Sequence, residues 1–208
     1  MNEAKQISKK SLERLPKYLR FLYELRDDGV TNVSATTIAE HFGFNSIQVR
    51  KDIEQVSKSV GRAGIGFFLD SLILDLEEFL GTNNSNEIIL VGAGKLGGAL
   101  LNYNGFGKDF KIVKAFDNSE KRCDNKKIFH FSKIEEELKG HNIHIAIITV
   151  PKDQAQIVCD KLIECGIKVI WNFAPIHLKT PNDIIVKNED LSSSLLILLK
   201  QYELEHKN

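Results

Sequence analysis

The chain has 208 residues, 28 basic and 28 acidic side chains, and a 42% hydrophobic content that is ordinary for a globular protein. That length fits one large or two small domains, and two are expected here. A formal net charge of zero excludes whole-chain attraction to nucleic acid or membrane, so any basic surface must be local.

Three cysteines, Cys123, Cys159 and Cys165, are too few and too scattered for a disulfide framework or a zinc site, so reduced thiols and no metal are expected. The start is charged rather than apolar, and no apolar run approaches membrane-spanning length. A soluble, cytoplasmic protein is the expectation.

From Ser11 to Asp27, the residues Leu12, Leu15, Leu19, Leu22 and Tyr23 recur at spacings of three and four, which predicts an amphipathic helix stopped by Gly29. Pro16 predicts that the regular helix begins at or near that residue. Val33 and Ser34 open a second helix, Ala35 to Phe42, with Ser34 as its cap. A turn at Gly43-Phe44-Asn45 leads to a third, from Ser46 to about Lys58, with Val49, Ile53 and Val56 on its inner face and Asn45 or Ser46 as cap. Gln48, Arg50 and Lys51 lie off that face. Two helices joined by a tight turn, the second carrying amide and cationic groups near its start, make a DNA-reading helix-turn-helix. Arg and Lys neutralise phosphates or donate to guanine, Gln pairs with adenine, and Ser46 holds a backbone phosphate. A plain helical hairpin with solvated charges is the alternative. The segment Gly61 to Leu69 predicts a two-stranded wing with Arg62 at its tip, and basic residues exceed acidic ones up to that point. Ser71 to Leu80 is a further helix ended by Gly81, and Thr82 to Asn86 has a linker's composition.

The run Ile88 to Val91 then leads into Gly92, Ala93, Gly94, Lys95, Leu96 and Gly97, a Gly-x-Gly-x-x-Gly turn between a strand and a helix whose start is expected at Gly97. Such a turn brings backbone amides up to a pyrophosphate. By itself the spacing also fits a glycine-rich turn without a ligand. A second strand, Phe110 to Phe116, ends in Asp117 at the separation expected of a ribose-binding acid, which would accept from both ribose hydroxyls, repel a 2′-phosphate and so favour NAD(H). Lys127 to Phe129 is a short strand, Ile134 to Leu138 a helix, Ile143 to Val150 a strand, Asp153 to Cys165 a helix, Ile167 to Trp171 and Ile184 to Val186 strands. This alternation predicts a Rossmann-type parallel sheet with its ligand at the carboxyl ends of the strands. Those ends also include Thr149, Val150 and Pro151, and Asn172, Phe173 and Ala174. The last helix, about Leu191 to Glu203, is too apolar to stand alone, and packing against a partner subunit is preferred over packing within its own domain.

Enzymatic turnover would need a proton donor near a hydride, and His177 is the best candidate. Little chain remains for a substrate domain, so binding outweighs catalysis and no enzyme is expected.

Taken together, Arg14-Leu15-Pro16-Lys17-Tyr18-Leu19-Arg20, Val49-Arg50-Lys51-Asp52, the glycine turn, Tyr103-Asn104-Gly105-Phe106, Thr149-Val150-Pro151 and Asn172-Phe173-Ala174-Pro175 resemble the Rex family of repressors that sense the NADH to NAD+ ratio. The resemblance implies a winged helix-turn-helix domain (1–81), a Rossmann-type NAD(H)-binding domain (82–188) and a C-terminal helix (189–208) exchanged within a homodimer. It also implies that Arg20, Tyr103 and Asp190 form a network near the nicotinamide, with Tyr103 among the cofactor contacts, and that NADH releases the dimer from operator DNA. Two departures from the family stand in the chain: Gln55 to Gly61 is one residue longer than in the usual family wing, with Ala63 where arginine is common, and Ser119 stands where the family usually has a second acid after Asp117.

Overall fold

The computed structural model describes residues 7–59, 61, 62, 64–82, 86–107 and 109–206. The chain divides into two compact units, residues 1–84 and 85–208. Ala63 of the expected wing and Asn83 to Ser85 of the expected linker lie outside the described residues.

The first unit begins with α1 (Lys9–Asp27), capped by the Ser8 hydroxyl, which accepts from the Ser11 N–H at 3.1 Å. The helix does not start at Pro16 but runs through it. Proline costs a helix interior about 3 kcal/mol, and the inner face outweighs that: Leu15, Tyr18 and Leu22 are wholly buried, each contributing about 1.5–3 kcal/mol. Leu12, whose carbonyl loses its partner, is 44% exposed, so water can replace it.

A two-residue strand β1 (Asn32–Val33) follows, where the sequence suggests only a lead-in to a helix. Next come α2 (Ala35–Phe42), held by a Ser34 cap, and α3 (Ser46–Val56), capped by Asn45. Between them Gly43 adopts φ +67°, a left-handed conformation suited to glycine. The third helix ends at Val56, short of Lys58, because Asp75 captures the next turn: it accepts from the Ser57 hydroxyl at 2.5 Å and the Ser59 N–H at 2.9 Å.

The wing differs from expectation. Arg62 and Gly66 form one antiparallel bridge, and β2 (Phe67–Phe68) pairs with β1, Val33 opposite Phe67. Arg62 therefore sits at the base of the turn, not its tip. Two backbone hydrogen bonds from Ile65 and Gly66 to the Arg62 carbonyl close that turn. A Cβ on Gly66 would collide with the Val33 carbonyl, so only glycine permits the approach. α4 (Leu69–Leu80) begins two residues ahead of Ser71 and ends at Gly81, φ +71°. Its Leu69, Leu72, Ile73 and Leu76 complete a core with Leu15, Tyr18, Ile38, Val49 and Ile53.

The second unit is a six-stranded sheet, all parallel, in the order β5-β4-β3-β6-β7-β8. The strands are β3 (Asn86–Val91), β4 (Phe110–Asp117), β5 (Ile128–His130), β6 (Ile145–Ile148), β7 (Val169–Asn172) and β8 (Ile185–Asn188). Both faces are covered. Ile89 and Val91 pack with Phe116, Ala155, Val158 and Leu162 on one side, Ile88 and Leu90 with Ile112, Ala115 and Ile147 on the other, as continuous apolar strands require. The helices are α5 (Lys95–Leu101), α6 (Ile134–Leu138), α7 (Lys152–Glu164) and α8 (Leu191–Glu205). α5 starts at Lys95, two residues before Gly97, because Gly94 already accepts the first helical bond, from Gly98 at 2.8 Å. The apolar run Ile143 to Val150 supplies a ladder only over 145–148, and just past its end both the Thr149 N–H and its hydroxyl still donate to the Val91 carbonyl of β3. Strand order reverses between β3 and β6, which opens a crevice at their carboxyl ends.

Candidate nucleotide cleft and nucleic-acid interface

That crevice contains a cavity of about 760 Å³ lined by Gly92, Gly94, Asp117, Thr149, Val150 and Pro151, together with Asn118, Ser119, Arg122, Phe131 and Gln154. The volume lies in the range of small-molecule and cofactor sites. Gly92 (φ +102°) donates to the Phe116 carbonyl at 2.7 Å, and a Cβ there would lie 2.8 Å from the Thr149 carbonyl carbon. A Cβ on Gly97 would strike the Gly92 carbonyl oxygen, so this glycine lets α5 settle against β3. Gly94 is different: nothing lies within 4 Å of where its Cβ would be, so the backbone there is open to a ligand. Thr149 locks the floor by donating its hydroxyl to the Gly92 carbonyl at 2.7 Å. Lys95 and Leu96 are exposed in the first turn of α5, where amides lack helical partners. A glycine cradle of this shape fits a dinucleotide pyrophosphate.

Asp117 is 6% exposed and heavily engaged: it accepts from the N–H groups of Ala93 and Ser119, each at 2.7 Å, and from the Arg122 guanidinium at 3.2 Å. The Ala93 amide is thus spent on Asp117. Sequence reasoning missed Arg122, which stands on a 3₁₀ turn (Glu120–Arg122) that no motif announces.

The remaining expected cofactor contacts fall elsewhere in this unit. Asn172 is wholly buried, and its amide is fully used: it donates to the carbonyls of Ala174 and Ile176 and to Asn188, and accepts from the Ala174 N–H. It fixes a turn and does not reach the glycine cavity. Phe173 and Ala174 line a second cavity of about 370 Å³ with His177, Asn188 and Asp190. His177 faces Asn188 there, at 3.5 Å, away from the glycine turn. Tyr103, 57% exposed, packs edge-on against Phe106. Asp190 caps α8 and accepts from the Ser193 hydroxyl at 2.5 Å, which with the Ser193 amide holds its carboxyl below the usual range.

In the first unit, Gln48, Arg50 and Lys51 project from α3 into solvent and Ser46 is half-buried in its first turn. Arg50 and Arg62 line one concavity of about 610 Å³ with Ser34, Thr36, Glu54 and Lys58, whereas Gln48 and Lys51 lie outside it. The Arg62 guanidinium sits 5.2 Å from the Phe68 ring centre. Ile47, 64% exposed between Ser46 and Gln48, was not singled out from sequence; exposed aliphatic groups on a reading helix suit thymine methyls. Beneath this surface Asp52, 2% exposed, accepts from Arg14 at 2.7 and 2.8 Å and from the Tyr18 hydroxyl at 2.9 Å. Arg20, by contrast, is highly exposed and pairs loosely with Glu24 at 3.8 Å.

Comparison with known proteins agrees with this division. Residues 6–54 match the family described as putative DNA-binding protein N-terminus, and residues 83–176 that described as CoA binding domain. The redox-sensing transcriptional repressor Rex of Clostridium botulinum (strain Hall) is 40% identical over 203 residues, covering 95% of this chain and 96% of its own length. The chain belongs to the Rex family. The Rex of Clostridium perfringens (strain ATCC 13124) is 37% identical, with 99% of this chain and 98% of its own length covered. Among solved structures, the Rex-family repressor RSP in complex with β-NAD+ and operator DNA superposes with a TM-score of 0.88 at 33% identity, covering 96% of this chain and 94% of RSP. RSP in complex with β-NADH gives 0.84 at the same identity, with 96% and 95% covered. Among the described residues, no helix is long and apolar enough to cross a membrane and no cluster of three metal-ligating side chains occurs.

Proposed function

We propose that this Rex-family chain is a redox-sensing repressor that binds operator DNA through its first unit, binds NAD(H) through its second, and leaves DNA when NADH rises. The observation that carries the reading is the likeness, over nearly the whole chain, to RSP in complex with β-NAD+ and operator DNA, combined with an open Gly94 beside the buried acid Asp117. It acts in the cytoplasm as a homodimer with α8 exchanged between subunits. The coenzyme supplies a nicotinamide ring that is neutral when reduced and cationic when oxidised, and an apolar pocket favours the neutral form.

The chain's residues do the rest. Gly92, Ala93, Gly94, Lys95, Leu96 and Gly97 seat the pyrophosphate, Asp117 takes the adenosine ribose, and Thr149, Val150 and Pro151 close the crevice. Phe173 and Ala174, on the turn that Asn172 fixes, face the nicotinamide side with Tyr103. Tyr103, Asp190 and an Arg20 side chain free to change partners couple that end to the DNA-reading unit. Ser46, Gln48, Arg50, Lys51 and Arg62 hold the operator. For NADH to release DNA it must bind the non-reading state more tightly than the reading one.

The test is operator binding at fixed total NAD(H) while the redox ratio is varied. Affinity is expected to fall as the NADH share rises, with no net oxidation of coenzyme. Operator binding indifferent to the ratio would remove the redox function, and steady coenzyme consumption would favour an oxidoreductase using His177.

A further inference from the structure

Arg122 is a cation placed where the adenosine ribose should meet Asp117. Its Nη1 lies 3.2 Å from both carboxylate oxygens, on the edge between them, and its side chain is 52% exposed at the mouth of the cavity. A carboxylate offers roughly four lone-pair positions. The Ala93 and Ser119 amides take one on each oxygen, leaving the edge that Arg122 bridges as the place for a pair of ribose hydroxyls. Guanidinium and diol therefore compete for the same atoms. The ion pair also cancels the charge with which an unpaired acid would repel a 2′-phosphate, and a planar guanidinium is well shaped to hold one.

We propose that Arg122 sets the choice between a free and a phosphorylated adenosine ribose at this cleft, competing with the 2′,3′-diol when it rests on Asp117 and pairing a 2′-phosphate when it swings outward. The cleft then admits NADP(H) more readily than an unpaired aspartate would allow. This rests on the reading of the cleft as a dinucleotide site.

The experiment is a calorimetric titration of the full chain with NADH and with NADPH, for the wild type, Arg122→Met and Arg122→Lys, with thermal melts confirming that each variant is folded. In Arg122→Met the affinity ratio of NADH to NADPH is expected to rise by about tenfold, the scale of one charge-assisted hydrogen bond, with NADH itself bound no more weakly than by the wild type. Arg122→Lys keeps a cation and is expected to retain NADPH binding. An unchanged ratio, or NADH weakened by Arg122→Met, would overturn the proposal and leave the cleft's dinucleotide reading standing. A wild-type chain that binds neither nucleotide would remove both.

Discussion

Asp52 occupies the inward side of the helix whose outward side carries Gln48, Arg50 and Lys51. Burial alone would push its pKa up, but hydrogen bonds from Arg14, Ser11 and Tyr18 more than reverse this and hold the carboxyl below its ordinary 3.8. The pair with Arg14 thus ties the inward side of α3 to α1, beside the buried Val49 and Ile53. Replacing Asp52 by alanine leaves the Arg14 guanidinium, whose side chain is 13% exposed, without its partner, and removal of one member of a buried pair costs about 3–5 kcal/mol. Urea unfolding should show that loss, and operator affinity should fall with it. Tyr18 supplies a separate pH signature. Burial first, then its hydrogen bond to Asp52, raises the phenol from 10.0 to about 12. A raised folded-state pKa means the contribution is complete below pH 10 and fades between about 10 and 12; at about 1.4 kcal/mol per unit this amounts to roughly 2–3 kcal/mol. Unfolding midpoints followed across that window should fall more steeply for the wild type than for Tyr18→Phe. Equal slopes would mean that the phenol does not titrate with the fold.

At the scale of the element, the proposed operator contacts fall on α3 and on the wing. Arg50 and Lys51 are exposed on α3, and if each neutralises one phosphate, its replacement by alanine should weaken operator binding across sequences and lower the salt-dependence slope by about one. NADH affinity should not change. A salt slope that stays put would take that residue off the DNA. α2 was legible to the residue because its apolar positions coincide with the Ser34 cap and the Gly43 stop, and α6 because Ile134 and Leu138, both buried, stand one turn apart. β1 was not, since two residues carry no period; it exists only because β2 pairs with it across the unit. The same contrast divides the cleft. Gly92, Gly94 and Asp117 announce themselves through spacing, because backbone geometry dictates them locally. Asp52 and its partners Arg14 and Tyr18 lie 38 and 34 residues apart in sequence, and no local pattern encodes which charges will meet in a core. Arg122 is only five residues from Asp117, but its approach depends on a loop that Asp124 organises by accepting from three successive amides, of Lys126, Lys127 and Ile128.

For the whole molecule the decisive feature is α8. Leu195, Leu196, Ile197, Leu198 and Leu199 are each 55–67% exposed, and no residue of this helix is buried. A continuous apolar helix in water is costly, and soluble monomers seldom expose a patch of that extent. A second copy of the chain would cover it, as subunit exchange in the proposed homodimer requires. Leu195 and Leu199 stand one turn apart on one face, so changing both to lysine places two charges in any such interface while removing nothing the single chain buries. Sedimentation is then expected to report a dimer for the wild type and a monomer for the double variant. Operator affinity should drop by about 10²–10⁴-fold, because two linked reading helices gain that much from effective concentration. Mass action gives an independent sign: the wild-type melting temperature should rise with protein concentration, and that of the double variant should not. A variant that stays dimeric would mean that α8 is covered by something other than its twin. Operator binding would then depend on a different interface, and the coupling through Asp190 at the root of this helix would go with it.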